Sequence, residues 1–103
     1  MKLQKPTKIR SRKIRESARG EGCALRIPSV CNHNNETVVF AHVNANKGVG
    51  TKNHDLFGVY ACSGCHDWMD GRSNYGGSYY SEILRALQET QIKLYEKGLI
   101  QIK

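Results

Sequence analysis

Residues 54–66 read His54-Asp-Leu-Phe-Gly-Val-Tyr-Ala-Cys-Ser-Gly-Cys-His66, and they combine a strand pattern with a pair of cysteines. Its apolar part, Leu56–Ala61, predicts a β-strand, because β-branched and aromatic residues favour extended backbone. Upstream, residues 37–43 (Thr-Val-Val-Phe-Ala-His-Val) predict a second strand between Asn-rich turns. The polar loop 44–54 separates the two runs, so we expect them to pair as a hairpin.

The chain contains four cysteines, which form two pairs about 30 residues apart: Cys23, Cys31, Cys62 and Cys65. The second pair is a Cys-x-x-Cys knuckle, whose spacer lets both thiolates point at one ion. The first pair has seven residues between its members, and Pro28 and Ser29 favour a turn that returns the loop to its start. Four thiolates in this pattern predict one tetrahedral structural Zn²⁺ site. Disulfide bonds and a thioredoxin-like redox pair are the alternatives, and the pattern favours zinc over both.

Three helices are predicted around this hairpin. Residues 9–19 form a short basic helix that Gly20 ends, and a short helix begins at His66. Residues 78–97 form a longer helix capped by Gly98, with a linker at 73–77 before it. Its apolar stripe is expected to cover the core, with a dimerisation face as the alternative. The stripe recurs at spacings of three and four residues: Tyr80, Ile83, Leu84, Leu87, Gln91, Leu94 and Tyr95.

The charge of the 103-residue chain is concentrated at its N-terminus. The formal net charge is +7, and residues 1–20 account for all of it, since residues 21–103 hold eight basic and eight acidic side chains. We therefore divide the chain into a basic arm or helix, 1–19, and one α+β domain, 20–103. Such an arm predicts a polyanionic partner, nucleic acid or less often anionic lipid, while a merely solvated tail is the alternative. The predicted DNA-binding residues are Lys8, Arg10, Arg12, Lys13, Arg15 and Arg19.

The composition also excludes some classes of protein. Hydrophobic residues make up 39% of the chain and charged residues 24%, which is typical of a globular domain and not of a disordered one. No apolar run approaches the roughly 18–20 residues that span a bilayer, and no secretory signal follows the basic N-terminus. We therefore expect an intracellular, cytoplasmic protein.

Two histidines and one aspartate are the candidates for catalysis. His42 ends the first predicted strand, Asp55 begins the second, and His66 follows the last cysteine. In a paired hairpin these three side chains can approach one another. A histidine base beside a carboxylate–histidine metal site suits phosphodiester hydrolysis, because the imidazole takes a proton from water and the metal neutralises charge on the phosphate. A histidine that only hydrogen-bonds within the sheet is the alternative for His42.

The chain has a strand ending in His42, a long loop, Asp55-Leu56, a second strand, Cys62-x-x-Cys65-His66 and a helix, in that order. In this order it resembles the HNH nucleases of the ββα-metal class, and more narrowly the small phage and prophage family of the putative nuclease YbcO. The resemblance implies a zinc-braced ββα fold, metal-dependent cleavage of DNA, His42 as the general base, and His66 and Asp55 as ligands of a catalytic divalent ion, Mg²⁺ or Mn²⁺. The matching stretches are Ala18–Gly20, Cys23, Arg26–Pro28, Val30–Asn32, Ala41–His42, Asp55–Leu56 and Ala61–Asp67.

A second function stays open at this point. A non-catalytic, zinc-dependent DNA-binding module would keep the cysteines and the basic arm but use both histidines structurally. Ala41 favours this alternative, since many HNH enzymes have an acidic residue directly before the base histidine. The joint presence of His42, Asp55 and His66 favours the nuclease. A protein-interaction module that uses the 78–97 helix is a third, weaker alternative.

Overall fold

A two-stranded antiparallel sheet and three helices make up the described part of the protein. The computed structural model describes residues 9–43, 54–71 and 79–103, so Lys8, most of the predicted loop 44–54 and the linker 73–77 lie outside it. The elements are α1 (Arg12–Glu16), a short 3-10 helix (Asn35–Thr37), β1 (Val39–His42), β2 (Gly58–Ala61), α2 (Ser63–Met69) and α3 (Tyr79–Glu96). This is a small α+β arrangement, as the sequence predicts.

The predicted hairpin is confirmed, although both strands are shorter than predicted. β1 pairs with β2 so that His42 lies opposite Gly58 and Phe40 opposite Tyr60. The ring of Phe40 lies over Gly58, where an added methyl group would collide with the ring. The chain therefore needs glycine opposite His42. Residues 56–57 form a turn instead of strand, and Thr37 belongs to the 3-10 helix.

The outer edge of β2 is closed by side-chain and backbone contacts. The amide of Ala24 donates to the Tyr60 carbonyl at 2.7 Å, and the amide of Tyr60 donates to the hydroxyl of Thr90 at 3.2 Å. Thr90 is fully buried on α3, so its hydroxyl replaces a missing strand partner. These contacts fix β2 between β1, α3 and the loop that carries Cys23.

The basic helix α1 is shorter than the predicted 9–19 because its first residues are used elsewhere. Ser11 is the N-cap and accepts from the Ile14 amide, while Ile9–Ser11 run extended along residues 54–55. Ile14 and Ala18 are buried in the core. α1 ends at Glu16 with Ser17 as its C-cap, and residues 17–20 form turns, so Gly20, with a φ of +76°, does not end the helix as predicted. The segment thus packs on the domain from Ile9 onward.

The long helix α3 ends in a Schellman cap, which confirms the prediction for Gly98. Gly98 has a φ of +75°, its amide donates to Tyr95, and the Leu99 amide donates to Leu94. The core face consists of Ile83, Ala86, Thr90 and Leu94, with Leu87 partly buried. Tyr80, Leu84 and Tyr95 of the predicted stripe are instead exposed, beside the core face. The predicted stripe therefore has the correct period, but it includes both buried and exposed positions of α3.

No helix in residues 9–43, 54–71 and 79–103 is long and apolar enough to cross a membrane.

Candidate metal centre and active site

The four cysteines come together from two distant segments, as their spacing predicts. Their sulfur atoms all lie within 4.8 Å of one another, and those of Cys31 and Cys62 are 3.8 Å apart. Four thiolates at about 2.3 Å from a tetrahedral ion lie about 3.8 Å apart, so the group fits an ion such as zinc. All four side chains are free thiols, so neither pair forms a disulfide. Cys31 is partly exposed and the other three are buried.

Backbone amides surround the sulfurs in the manner expected for thiolates. Arg26 and Cys62 donate their amides to the Cys23 sulfur, and Asn32 and Cys65 donate theirs to the Cys62 sulfur, each at 3.4 Å. Cys62 is also the N-cap of α2, which explains why this helix begins at Ser63, before the predicted His66. A hydrogen bond from the Cys65 thiol lowers the pKa of Cys23 to about 4 and raises the pKa of Cys65.

An arginine network, which sequence reasoning missed, ties the Cys23 loop to α3. Arg26 donates both terminal nitrogens to the Glu89 carboxylate at 2.9 Å, and Arg85 donates to the Leu25 carbonyl at 2.6 Å. Arg26 has a left-handed φ of +47°, and its amide donates to the Cys23 sulfur. The salt-bridge spacing of Arg85 and Glu89 within the helix is visible in the sequence, but their long-range partners are not.

Asp55 is the centre of a second polar cluster, at the other end of the hairpin. Its carboxylate is fully buried and has a contact on each oxygen: Oδ1 lies 2.7 Å from His42 Nε2, and Oδ2 accepts from the Ser11 amide at 2.6 Å. Arg10 pairs with Oδ1 at 3.3 Å, and Arg15 pairs with Oδ2. The N-terminal segment is thereby attached to the hairpin beside His42. We call these five residues the Asp55 junction.

The junction keeps Asp55 ionised. Burial alone would raise the pKa of Asp55, but hydrogen bonds from His42, the Ser11 amide and Arg15 outweigh it and lower the pKa to about 2. The backbone of Asp55 is fixed as well, since its amide donates to the Ile9 carbonyl at 2.8 Å. Asp55 is therefore a permanent acceptor at neutral pH.

We expect acid to destabilise the protein through this carboxylate. Because its folded pKa, about 2, lies below the ordinary 3.8, its contribution is present above about pH 4 and is lost as the pH falls toward 2. The linked free energy of unfolding is about 2 kcal/mol. Urea unfolding of wild type and Asp55→Asn at several pH values measures this contribution. The difference between their free energies of unfolding should become smaller as the pH falls. Because acid also releases metal from the cysteines, zinc content is measured at each pH and the gap is compared only where both proteins remain zinc-loaded. A gap independent of pH would contradict this assignment.

The three candidate catalytic residues are not gathered around one point. His42 and Asp55 are in contact, whereas His66 lies on α2 with its Nε2 3.4 Å from Asp70. Among the described residues, the four cysteines are the only group of three or more potential ligands close enough to share an ion. The side chain of His42 is only 9% exposed, and the Phe40 ring packs edge-on against it at 5.4 Å.

The predicted DNA-binding residues divide into two sets. Arg10 and Arg15 belong to the Asp55 junction but remain about two-fifths exposed. Arg12, Lys13 and Arg19 are exposed on or just after α1, and Arg12 also pairs with Glu16 at 3.3 Å. Sequence reasoning identified these side chains but not the buried partner of Arg10 and Arg15. The one sign of this partner in the sequence is Asp55 itself, a single acidic residue directly before the apolar run Leu56–Ala61.

A family model and two curated relatives indicate the same family. The family model described as "Putative nuclease YbcO" matches residues 12–98. Proteins of that description from Escherichia coli (strain K12) and Enterobacteria phage 82 are each 41% identical over 91 residues, covering 84% of this chain and 95% of theirs. A solved structure of a putative bacteriophage protein from Escherichia coli is 36% identical, with a TM-score of 0.66, over 84% of this chain and all of that one.

Proposed function

Because the chain belongs to the family of the putative nuclease YbcO, with relatives in a phage and in a bacterium, we propose that it is an HNH-type, metal-dependent endonuclease that hydrolyses DNA phosphodiester bonds. The observation that carries this proposal is the 2.7 Å contact between His42 and the buried carboxylate of Asp55. A histidine held by a carboxylate is the arrangement that general-base chemistry needs. A phage or prophage origin and a cytoplasmic location are part of the proposal.

The four-cysteine group supplies the scaffold in this proposal. It holds one structural zinc, which joins the Cys23–Cys31 loop to the start of α2. The fit of the sulfur spacing and the amides around the sulfurs support this role. With four thiolates the coordination shell is closed, so this ion has no open position for water or substrate.

His42 is the general base in the proposed reaction. Its imidazole takes a proton from the attacking water, and Asp55 stabilises the cation that forms. A divalent ion such as Mg²⁺ or Mn²⁺, when bound, would neutralise charge developing on the phosphate. The family resemblance assigns that ion to His66 and Asp55, which stays a prediction. The geometry favours His66, because binding at Asp55 would displace the contacts of Arg10, Arg15 or Ser11.

The basic residues of the N-terminal segment bind the phosphate backbone in this proposal. The exposed basic side chains are Arg12, Lys13 and Arg19. Arg10 and Arg15 both contact Asp55, which in turn contacts His42. The positively charged segment is therefore attached beside the proposed base. Lys8 lies outside the described residues, and its DNA contact stays a prediction. The balance of charge supports a polyanion partner, since the rest of the chain is neutral overall.

We expect the double variant Arg12→Gln/Lys13→Gln to weaken DNA binding without unfolding the protein. Both side chains are exposed, so their loss removes phosphate contacts and little packing. The log–log slope of affinity against salt should become shallower by about 0.9 per lost phosphate contact. Lys93→Gln/Lys103→Gln, which removes the same charge from the other end of the chain, is the control. An equal effect of both variants would show that only net charge matters.

Cleavage by the wild-type protein tests the proposed function directly. Zinc-loaded protein is incubated with duplex, branched and single-stranded DNA in Mg²⁺, Mn²⁺ or Ni²⁺, with EDTA after metal loading as the control. Metal-dependent strand cleavage is the expected result. Salt-sensitive DNA binding without cleavage of any substrate would overturn the nuclease and favour the non-catalytic DNA-binding module, for which Ala41 before His42 is the specific observation.

A further inference from the structure

We propose that Asp55 is a positioning residue that holds His42 with its proton on Nε2, which makes Nδ1 the basic nitrogen of the site. This inference rests on the proposed function only for its catalytic consequence. The tautomer itself follows from the contacts of the two side chains. It differs from the family expectation, in which Asp55 is a ligand of the catalytic ion.

The first step is that the Asp55 carboxylate can only accept hydrogen bonds. It is fully buried, and the other groups that touch it are all N–H donors: the Ser11 amide, Arg10 and Arg15. Two guanidinium groups on one buried carboxylate favour its charged form strongly. An ionised carboxylate carries no proton to give to a neighbour.

The second step concerns the imidazole. His42 Nε2 lies 2.7 Å from Asp55 Oδ1, a distance at which one of the two atoms must carry a hydrogen. Because Asp55 has none, the hydrogen is on Nε2. In a neutral imidazole with a proton on Nε2, Nδ1 has the free lone pair. It is therefore Nδ1 that can take a proton from water.

The third step is that the ring has little freedom to turn over. The His42 side chain is only 9% exposed, and Phe40 packs against it at an interplanar angle of 89°. Phe40 is in turn seated over Gly58, directly opposite His42 in the hairpin. Asp55 is held by its own amide, which donates to Ile9. Both partners of the pair are thus fixed by groups that are separate from the pair itself.

Long-range ¹H–¹⁵N correlation spectra of ¹⁵N-histidine-labelled, zinc-loaded protein test the tautomer, with His42 assigned by His42→Gln. We expect neutral His42 to show the Nε2–H pattern. In Asp55→Asn the amide can donate to Nε2, so the Nδ1–H pattern should appear. Arg10→Gln, which leaves the Asp55–His42 contact in place, is the matched control and should keep the wild-type pattern.

Kinetics on the same variants separate positioning from metal binding. Asp55→Asn should lower kcat by about 10⁴-fold with little change in KM, as the same change does in a serine-protease triad. High Mn²⁺ should not restore the rate, whereas it would rescue a weakened metal ligand. An Nδ1–H pattern in the wild type overturns the proposal, and so does an unchanged tautomer in Asp55→Asn. In the kinetics, full recovery of the Asp55→Asn rate in high Mn²⁺ overturns it. If Asp55→Asn fails to fold, the wild-type spectrum decides alone. That spectrum does not depend on cleavage, so a protein that cuts no DNA refutes the nuclease and leaves the tautomer testable.

Discussion

Replacing Cys62 with serine should leave the protein unable to hold zinc and largely unfolded at room temperature. Cys62 is fully buried and is the N-cap of α2. Its sulfur accepts hydrogen bonds from the backbone amides of Asn32 and Cys65. Structural zinc supplies about 10–16 kcal/mol of apparent binding energy to small domains. Because the net stability of a domain is about 5–15 kcal/mol, loss of the ion is enough to unfold it. Metal analysis should give about one zinc per wild-type chain, and circular dichroism should show the loss of folded structure.

The control is Gln88→Ala, which changes an exposed side chain on α3 and should keep both the zinc and the fold. Removal of zinc from the wild type by a strong chelator should reproduce the unfolding of Cys62→Ser, and added zinc should reverse it. A wild-type protein that is well folded without zinc would contradict the proposed role of the four cysteines. So would a folded Cys62→Ser variant with full stability.

The elements that the sequence predicts well are those with a local cause. The hairpin follows from two β-branched and aromatic runs, and the end of α3 follows from Gly98, whose positive φ no other residue adopts as easily. The four-cysteine group follows from the fixed geometry of a tetrahedral ion. The hairpin and the helix end each depend on a few neighbouring residues, and the cysteine group depends on the number and spacing of ligands that one ion requires.

What the sequence did not show depends on contacts between distant residues. Nothing near Arg15 indicates that it reaches a carboxylate 40 positions later, and nothing near Arg26 indicates Glu89 on α3. The division of the apolar positions of α3 between a buried and an exposed face depends on where β2 lies. The sequence predicted that His42, Asp55 and His66 approach one another; the structure brings His42 into contact with Asp55, and His66 contacts Asp70.

We expect His42→Ala to abolish DNA cleavage while the fold, the zinc content and the DNA affinity stay close to wild type. Removal of a general base costs about 10²–10⁴-fold in rate, which places the residual activity near background. The fold should survive because Asp55 keeps its other three partners, Arg10, Ser11 and Arg15. Single-turnover cleavage rates measure the effect, together with metal analysis and a binding titration on the same preparations.

His66→Ala provides the contrast, because His66 is partly exposed on α2 and is the predicted ligand of the catalytic ion. The cleavage rate of His66→Ala should fall too. Raised Mn²⁺ should restore part of this rate, since a metal site of lower affinity fills at higher metal concentration. A missing base cannot be replaced in this way, so His42→Ala should stay inactive at every metal concentration. His42→Ala that cuts as fast as wild type would show that His42 is a structural residue. The Asp55 junction would then serve only to attach the N-terminal segment to the hairpin, as the DNA-binding alternative requires.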